Sequence, residues 1–280
     1  MILRKKKIVS FQGIEGANSH LACRYLFPTA DILPCETFEE AFQSVEKNKA
    51  DTALIPIENS IAGRVAEIHS IIQKTRLKIV GEYFMKVDLH LLGLKNSKMK
   101  DIKIVRSHIH AIGQCKNIIN KLKLKKHISA DTAGAAKEIA EKKILTESAI
   151  ASELASKIYK LKILKKNVQD SRKNTTRFLF LEKKGIKITS KNKKVLTSLI
   201  FRVNNTPASL HKALSCFAIN NVNMTKLESY VGESFKQAEF YIDIEGNISD
   251  TNVASALEEI KEYTEFIQIL GVYYADKFRK

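Results

Sequence analysis

Three short polar segments lie at the ends of predicted strands, where side chains from separate strands can meet. They are Glu58-Asn59-Ser60, Ser107-His108 and Thr175-Thr176-Arg177. Hydroxyl, carboxamide and guanidinium groups can hydrogen-bond an anion, and a hydroxyl can also donate a proton to it. The same residue types are common helix caps and turn residues, so spacing alone leaves both interpretations open.

A glycine turn near the start of the chain is a further candidate for anion binding. Residues 8–12 are predicted as a buried strand, 13–16 as a turn and 19–27 as a helix. This order places backbone N–H groups at the carboxyl end of a strand, where anions bind. Taken alone, the pattern does not identify a function.

Other kinds of chemistry leave no signature in the sequence. No HExxH, phosphate-binding loop, nucleophile elbow or dinucleotide fingerprint is present, and the 7 histidines are dispersed. The 4 cysteines form no CxxC pair and have apolar neighbours, which predicts buried thiols and not a zinc site or disulfides. We therefore expect neither a metal nor a cofactor.

Composition indicates a folded protein of two domains without a nucleic-acid partner. The chain is 44% hydrophobic and 28% charged, which is typical of globular proteins. Its length of 280 residues is too great for one small domain. The net charge is +17, but only 9 of the 47 basic residues are arginine, which nucleic-acid recognition favours. No apolar stretch approaches the ~20 residues of a membrane span. With no recognisable signal peptide, we expect a cytoplasmic protein without membrane contact.

The elements between these motifs alternate between strands and helices, which is typical of α/β folds with mostly parallel sheets. Further strands are predicted at 51–57, 102–105, 128–130, 149–151 and 175–182. Helices are predicted after a capping box of Thr37 and Glu40, along the apolar stripe Ile61, Val65, Ile68 and Ile72, around Gln114, and from Thr132 and Glu153.

A second domain is predicted after the polar, lysine-rich segment 185–194. Its predicted elements are a strand at 195–203, a helix over 210–218, a hairpin of strands 223–231 and 235–244 across Gly232, a helix over 251–263 and a strand at 266–272. The order βαββαβ is that of a ferredoxin-like ligand-binding or pairing unit.

Motifs along the whole chain resemble those of the prephenate dehydratase family. They are Pro56-Ile57-Glu58-Asn59-Ser60 with Gly63, Ser107-His108 with Gln114-Cys115, Asp131-Thr132-Ala133-Gly134-Ala135-Ala136, and Asn174-Thr175-Thr176-Arg177-Phe178. The C-terminal unit, with Pro207-Ala208-Ser209-Leu210 and Leu227-Glu228-Ser229-Tyr230, resembles that family's ACT regulatory domain. The resemblance implies an α/β fold: a two-lobed catalytic domain similar to periplasmic binding proteins, followed by a ferredoxin-like βαββαβ ACT domain.

The resemblance also implies domain bounds and an assembly. The catalytic domain would span 1–184, with lobes of about 1–82 plus 175–182 and of 83–174, and the ACT domain would span 194–280. Substrate would bind between the lobes. The expected assembly is a homodimer or homotetramer joined partly through the ACT domains.

The activity that the resemblance implies is the decarboxylative dehydration of prephenate to phenylpyruvate, on the route to phenylalanine. Loss of carbon dioxide and hydroxide forms an aromatic ring, so the reaction needs no cofactor. The enzyme must hold a dianion and protonate a leaving oxygen. Two alternatives remain open: a preference for arogenate, and a non-catalytic protein that senses an amino acid.

The resemblance assigns roles to residues of the matched motifs. Thr176 would donate to the departing hydroxyl, and Arg177 would bind a carboxylate. Glu58 would be protonated, pair with Arg177 or orient a neighbour. The other residues expected to bind substrate are Asn59, Ser60, Ser107, Gln114, Phe178, Gly16 and Ala17. His108 is either a turn residue or a catalytic one.

Phenylalanine is the effector that the resemblance implies. Its expected contacts are Asn205, Pro207, Ala208, Ser209, Leu210, Glu228 and Ser229. Ala208 stands where the family usually has glycine, and Tyr230 where it usually has arginine. The added methyl group and the lost positive charge would each weaken the effector site.

Overall fold

A computed structural model describes residues 6–190, 192–231 and 238–279 of the chain. The strands are β1 (Ile8–Gln12), β2 (Asp31–Cys35), β3 (Thr52–Asn59), β4 (Gly63–Arg64), β5 (Lys78–Lys86), β6 (His90–Gly93), β7 (Ile104–Ser107), β8 (Lys125–Ile128), β9 (Glu147–Ala151), β10 (Lys162–Lys165), β11 (Thr175–Glu182), β12 (Val195–Val203), β13 (Met224–Val231), β14 (Ala238–Glu245) and β15 (Thr264–Tyr274). The α-helices are α1 (Asn18–Leu26), α2 (Phe38–Glu46), α3 (Ala66–Ile72), α4 (Ile109–Gly113), α5 (Lys116–Lys121), α6 (Thr132–Lys142), α7 (Glu153–Ile158), α8 (Ser209–Ile219) and α9 (Thr251–Glu259). Single 3₁₀ turns lie at Met99–Asp101, Ile260–Tyr263 and Lys277–Arg279.

The described strands form three sheets, and the predicted α/β fold class is confirmed. Their orders are β2-β1-β3-β11-β5 with β4 beside β3, then β10-β6-β9-β7-β8, and finally β13-β14-β12-β15. The chain divides into two compact units, residues 1–66 with 84–178 and residues 67–83 with 179–280. Over the described ranges, none of the helices has the length and hydropathy needed to cross a bilayer.

The first sheet begins with the strand predicted at 8–12. Val9 and Phe11 of β1 are fully buried, and β1 pairs in parallel with β2 and β3. The predicted capping box begins α2, because Thr37 Oγ1 accepts a hydrogen bond of 3.1 Å from the Glu40 backbone N–H.

The helix predicted along 61–72 is wrong in its first part, because α3 begins only at Ala66. Residues 63–64 form β4, which pairs with the end of β3, and Gly63 has a φ of +82°. The Val65 N–H donates to the Ile57 carbonyl, which extends this pairing. Ile61 is 44% exposed, so it does not belong to the buried stripe.

The second sheet is mixed, whereas the sequence predicted mostly parallel strands. β7 runs parallel to β8 and β9, but β6 is antiparallel to β9 and β10. The strand predicted at 128–130 lies instead at 125–128. All residues of β8 are exposed, so no apolar alternation marks this strand in the sequence.

The third sheet has the predicted order βαββαβ, from β12, α8, β13, β14, α9 and β15. β12 pairs antiparallel with both β14 and β15, and β13 pairs antiparallel with β14. Helices α8 and α9 pack on the sheet around Phe201, Phe217 and Val253. The predicted hairpin turn at Gly232 and the predicted strand start at Phe235 lie outside the described residues.

Candidate active site

A chain of side-chain hydrogen bonds joins Thr176, Asn59, Asn174 and Gln114. The Asn59 carboxamide nitrogen donates to Thr176 Oγ1 at 2.9 Å and to Asn174 Oδ1 at 2.7 Å. The Asn174 carboxamide nitrogen donates to Gln114 Oε1 at 2.7 Å. Asn174 is 1% exposed, so the network is anchored in the protein interior. Three of the predicted site residues are therefore held in one polar network.

Backbone turns fix the orientation of Asn59 at the end of β3. The backbone N–H groups of Ile61 and Ala62 both donate to Asn59 Oδ1 at 2.9 Å. Because the amide oxygen is bound in this way, the amide nitrogen is turned toward Thr176. Asparagine at this position thus acts as both an acceptor and a donor.

Ser60 connects the same turn to the start of β11. Its hydroxyl donates to the Lys173 carbonyl at 2.6 Å and accepts from the Thr175 N–H at 2.9 Å. The Ser60 N–H donates to the Thr175 carbonyl, also at 2.9 Å. The Ser60 hydroxyl therefore fixes the distance between the β3 turn and Thr176.

Arg177 and Thr176 project from opposite faces of β11, because successive side chains of a strand alternate. Arg177 is 1% exposed, and its Nη1 lies 3.2 Å from Glu58 Oε1. Of the alternatives predicted for Glu58, the structure therefore contains the pair with Arg177. Phe178 is also buried, and Phe84 lies with its ring centroid 5.9 Å from the Arg177 guanidinium.

Ser107 and Gln114 flank the short helix α4, which follows β7. Ser107 is fully buried and donates from its hydroxyl to the Ile150 carbonyl at 2.6 Å. His108 is the N-cap of α4, since its Nδ1 accepts from the His110 N–H at 3.3 Å. Burial lowers the pKa of His108, and the neighbouring His110 lowers it further.

All four cysteines are buried and free, as the sequence predicts. Burial raises the pKa of Cys115, next to Gln114, to about 12. The thiol therefore stays protonated near neutral pH, which is typical of an unreactive, structural cysteine. Among the residues that the structure describes, no group of three or more His, Cys, Asp or Glu is arranged to hold a metal ion.

The glycine turn uses several of its backbone groups within the protein. The Gly13 N–H donates to Cys35 O at 2.9 Å, the Gly16 N–H to His20 Nδ1 at 3.0 Å and the Ala17 N–H to Ile14 O at 3.1 Å. The Ser152 hydroxyl donates to the Gly16 carbonyl at 2.7 Å. These three N–H groups of the turn thus have partners within the chain.

His20 stays neutral at physiological pH. Burial is the larger cause and the Arg24 guanidinium the smaller one, and together they lower the pKa of His20 to about 4. A neutral ring keeps Nδ1 as an acceptor for the Gly16 N–H. In the described part of the chain, Gly16, Ala17 and Ser107 form no hydrogen bond with the side chains of the Thr176 network.

The model of the prephenate dehydratase family matches residues 9–186, which include Asn59, Gln114, Asn174 and Thr176. The chain belongs to the prephenate dehydratase family. The resemblance that the motifs indicate is therefore confirmed, and the matched region contains all four members of the Thr176 network.

Relatives of this family match nearly the whole chain. The bifunctional N-acyl-homoserine lactone acylase/prephenate dehydratase of Komagataeibacter europaeus is 41% identical over 98% of each chain. Arogenate dehydratase/prephenate dehydratase 2, chloroplastic, of Arabidopsis thaliana is 37% identical over 96% of this chain and 73% of its own. The structure of Arthrobacter aurescens prephenate dehydratase in complex with L-Phe matches with a TM-score of 0.89 at 25% identity, covering 98% of this chain and 91% of that one.

In this family member, a cavity lies at the start of α8. It has a volume of about 320 Å³, and four of the predicted effector residues line it: Asn205, Ala208, Ser209 and Leu210. Phe240 of β14 lines it as well. Pro207 belongs to the same loop without lining the cavity, and Glu228 and Ser229 lie on β13.

Ala208 has a left-handed backbone conformation, with φ of +65°. Only glycine adopts this region without a steric cost, which accounts for the glycine that the family usually has here. The methyl group of Ala208 therefore strains the backbone in addition to narrowing the cavity.

Sequence reasoning assigned no role to Asn174, Ser152 or Tyr159. Asn174 stands in a matched motif two residues before Thr176, and this position could have identified it as a site residue. Ser152 and the Tyr159 hydroxyl, which donates to the Glu15 carbonyl at 2.7 Å, reach a turn more than a hundred residues earlier. No local pattern in the sequence indicates such contacts.

Proposed function

We propose that the protein is a prephenate dehydratase, a carbon–oxygen lyase that converts prephenate to phenylpyruvate. The observation that carries this proposal is the hydrogen bond from Asn59 to the Thr176 hydroxyl oxygen, at 2.9 Å. A hydroxyl that accepts from Asn59 keeps its own proton for donation. Membership of the family supports assigning that donation to the leaving hydroxyl of prephenate.

The contact with Asn59 also explains how threonine, a weak acid, can serve as the proton donor. As the C–O bond breaks, the leaving oxygen takes the Thr176 proton and departs as water, and negative charge develops on Oγ1. The N–H of Asn59 already points at that oxygen and stabilises the charge without rearrangement. Solvent then returns a proton to Thr176, while the C–C bond to the lost carboxylate supplies the electrons for the aromatic ring.

The remaining site residues divide into two proposed roles. Gln114 and Ser107 would bind the substrate, and Gly16 and Ala17 would line its site, since their N–H groups already have partners within the chain. Glu58 of β3 and Arg177, on the face of β11 opposite Thr176, would set the position of Thr176, because their ion pair ties β3 to β11. Ser60 would hold the start of the same strand, and the buried Phe178 would hold its middle.

The proposed domain bounds are those that the sequence predicts. A catalytic domain of 1–184 would contain two lobes, one of about 1–82 plus 175–182 and one of 83–174, and an ACT domain would span 194–280. The cleft between the lobes would hold the substrate. A cytoplasmic location remains a prediction from the sequence.

Turnover measured on two substrates tests this proposal. Purified protein is incubated with prephenate and with arogenate, while phenylpyruvate and phenylalanine are followed separately. We expect phenylpyruvate from prephenate. Phenylalanine from arogenate alone would make the chain an arogenate dehydratase, an activity named for the Arabidopsis relative. No product from either substrate would refute the enzyme and favour the amino-acid sensor.

A second candidate activity comes from the Komagataeibacter relative, whose name includes N-acyl-homoserine lactone acylase. The identity of 41% over 98% of each chain is the observation that favours it. Release of homoserine lactone from an N-acyl substrate is the measurement. Because the two reactions need different substrates, Thr176→Ala would show whether both use the same hydroxyl.

We also propose that phenylalanine binds at the start of α8 and inhibits turnover. The cavity there is lined by Asn205, Ser209 and Leu210, and a relative of this family has been solved with L-Phe. The amino acid's carboxylate would meet the N-terminus of α8. Calorimetric titration with phenylalanine and inhibition of turnover test this. Light scattering tests the proposed homodimer or homotetramer.

A further inference from the structure

A cluster of polar side chains connects helix α3 to strand β13 within one compact unit. His69 Nε2 lies 2.7 Å from the Tyr230 hydroxyl oxygen and 3.3 Å from Glu228 Oε2. The Tyr230 hydroxyl donates to Glu228 Oε2. Lys226 Nζ lies 2.6 Å from Glu228 Oε1. Lys226, Glu228 and Tyr230 share one face of β13, and Glu228 and Tyr230 of this face contact His69 of α3.

Ring packing makes the contact specific. The His69 and Tyr230 rings stack at 4.0 Å between centroids, and the Tyr241 ring meets His69 edge-on at 5.7 Å. The His69 side chain is only 3% exposed. A buried hydrogen-bonded cluster loses much of its energy when one partner shifts. The cluster therefore ties helix α3 to strand β13.

Strand β13, which carries Tyr230 and Glu228, pairs with β14, and β14 contributes Phe240 to the lining of the proposed effector cavity. Ser229 lies opposite Phe240, and Tyr230 opposite Glu239, in the β13–β14 ladder. Phe240 lines the cavity next to Leu210 and Ala208. A ligand that displaces Phe240 therefore acts on β14, and through the ladder on β13.

The α3 side of the cluster leads along the chain to Asn59. Helix α3 begins at Ala66, two residues after β4 ends at Arg64. β4 pairs with Glu58 and Asn59 at the end of β3. Only a few residues of the chain thus separate α3 from Asn59, the side chain that binds the Thr176 hydroxyl.

We propose that the contact between His69 and Tyr230 transmits effector binding to helix α3 and so to Asn59. This inference rests on the proposed function, because it names the route by which phenylalanine would change dehydratase turnover. Tyr230 stands where the family usually has arginine, so this chain makes the connection with a hydroxyl and an imidazole. His69 and Tyr230 are positioning residues and do not contact the substrate.

The first test compares Tyr230→Phe with Tyr274→Phe. The Tyr230 variant keeps the ring stack and loses only the hydroxyl, whereas Tyr274 binds backbone N–H groups of Thr189 and Ser190 away from the cluster. We expect Tyr230→Phe to keep basal turnover and calorimetric phenylalanine binding, while the inhibition reached at saturating phenylalanine falls about tenfold or more. Tyr274→Phe should leave inhibition unchanged. Equal inhibition in wild type and Tyr230→Phe would overturn the proposal.

The second test does not depend on turnover. Amide hydrogen exchange over residues 66–72 is measured with and without L-phenylalanine at millimolar concentration. We expect wild type to gain or lose protection in α3, His69→Gln to keep this response and His69→Leu to lose it, since glutamine can replace Nε2 as a hydrogen-bonding group. No response of α3 in wild type would refute the connection, whether or not prephenate is converted. Absence of turnover with an intact α3 response would refute only the proposed enzyme.

Discussion

Asn59 and Thr176 are 117 residues apart in the chain and are joined by a hydrogen bond of 2.9 Å from the carboxamide nitrogen to the hydroxyl oxygen. Two other contacts hold the partners before any substrate binds. Asn59 Oδ1 accepts from two backbone N–H groups, and Ser60 binds the backbone on both sides of Asn174. The hydroxyl is therefore preorganised, which is the property that a proton donor of low acidity needs.

Thr176→Ala is expected to keep the fold and the affinity for prephenate but to lose about 10²–10⁴-fold in kcat, the usual contribution of a positioned proton donor. Thr176→Ser is the matched control, since it keeps the hydroxyl and should retain most of the rate. Steady-state kinetics give kcat and KM for both. A near-normal rate in the alanine variant would remove Thr176 from the mechanism.

Asn174→Ala is expected to lower both kcat and the free energy of unfolding. The change removes one acceptor from Asn59 and the donor to Gln114 Oε1 in a buried network, at a cost of about 1–3 kcal/mol. Urea unfolding measures the stability. Asn96→Ala, at an exposed position, should change stability by less than about 0.5 kcal/mol. Equal effects of the two variants would contradict the network.

Ala208→Gly is expected to stabilise the protein by about 1 kcal/mol, because it relieves a side chain held at φ of +65°. Ala254→Gly is the control with the opposite sign: this exposed residue lies inside α9, where glycine costs about 0.5–1 kcal/mol. Thermal unfolding of both variants compares the signs. If effector binding is limited by the methyl group, Ala208→Gly also tightens phenylalanine binding in calorimetry.

Gly16→Ala is expected to destabilise the turn before α1. Gly16 has a φ of +92°, and a Cβ there would lie 3.0 Å from Ala155 Cα and 3.2 Å from Ala155 Cβ. Overpacking of this kind costs roughly 1–3 kcal/mol. Gly113→Ala has no atom within 4 Å of the added carbon and serves as the control in the same unfolding assay. A fully stable Gly16→Ala would mean that the turn can move away from α7.

Stability is expected to fall as the pH decreases from 6.5 to 4, partly because of His20. The pKa of His20 is about 4 in the folded protein against 6.5 ordinarily, so the unfolded chain takes up a proton in this window while the folded chain does not. Over the whole window, the loss amounts to about 3 kcal/mol. His20→Asn, whose Oδ1 can still accept from Gly16, should show a flatter profile. Urea unfolding at several pH values measures the difference, and parallel profiles would refute it.

The sequence predicted the fold class and the order of elements where periodic apolar residues face a core. It predicted β1, β11 and the βαββαβ order, and buried residues mark the strands β1, β11, β12 and β14. It failed at 61–65, because the Asn59 side chain binds Ile61 and Ala62 and so replaces the first helical turn. An apolar stripe carries no information about that competition.

The candidate site was predictable only as a set of residues. The motifs predicted that Asn59, Gln114 and Thr176 belong to one site. The structure adds how they are connected, through hydrogen bonds to and from Asn174. The separation of Arg177 from Thr176 follows from strand alternation, which the sequence already contained. The contact between His69 and Tyr230 could not be predicted, because no local pattern relates residues 161 positions apart.

The exposed edge strand β8 bears on whether copies of the protein associate at high concentration. It is the last strand in the order of its sheet, and it carries Lys125, Lys126 and His127 with all its side chains exposed. A terminal strand can recruit a strand from another molecule, which is how many folded proteins begin to aggregate. Two adjacent lysines on a strand of only four residues oppose such recruitment through charge repulsion and short length. The two lysines of β8 thus disfavour edge-to-edge association at this side of the sheet.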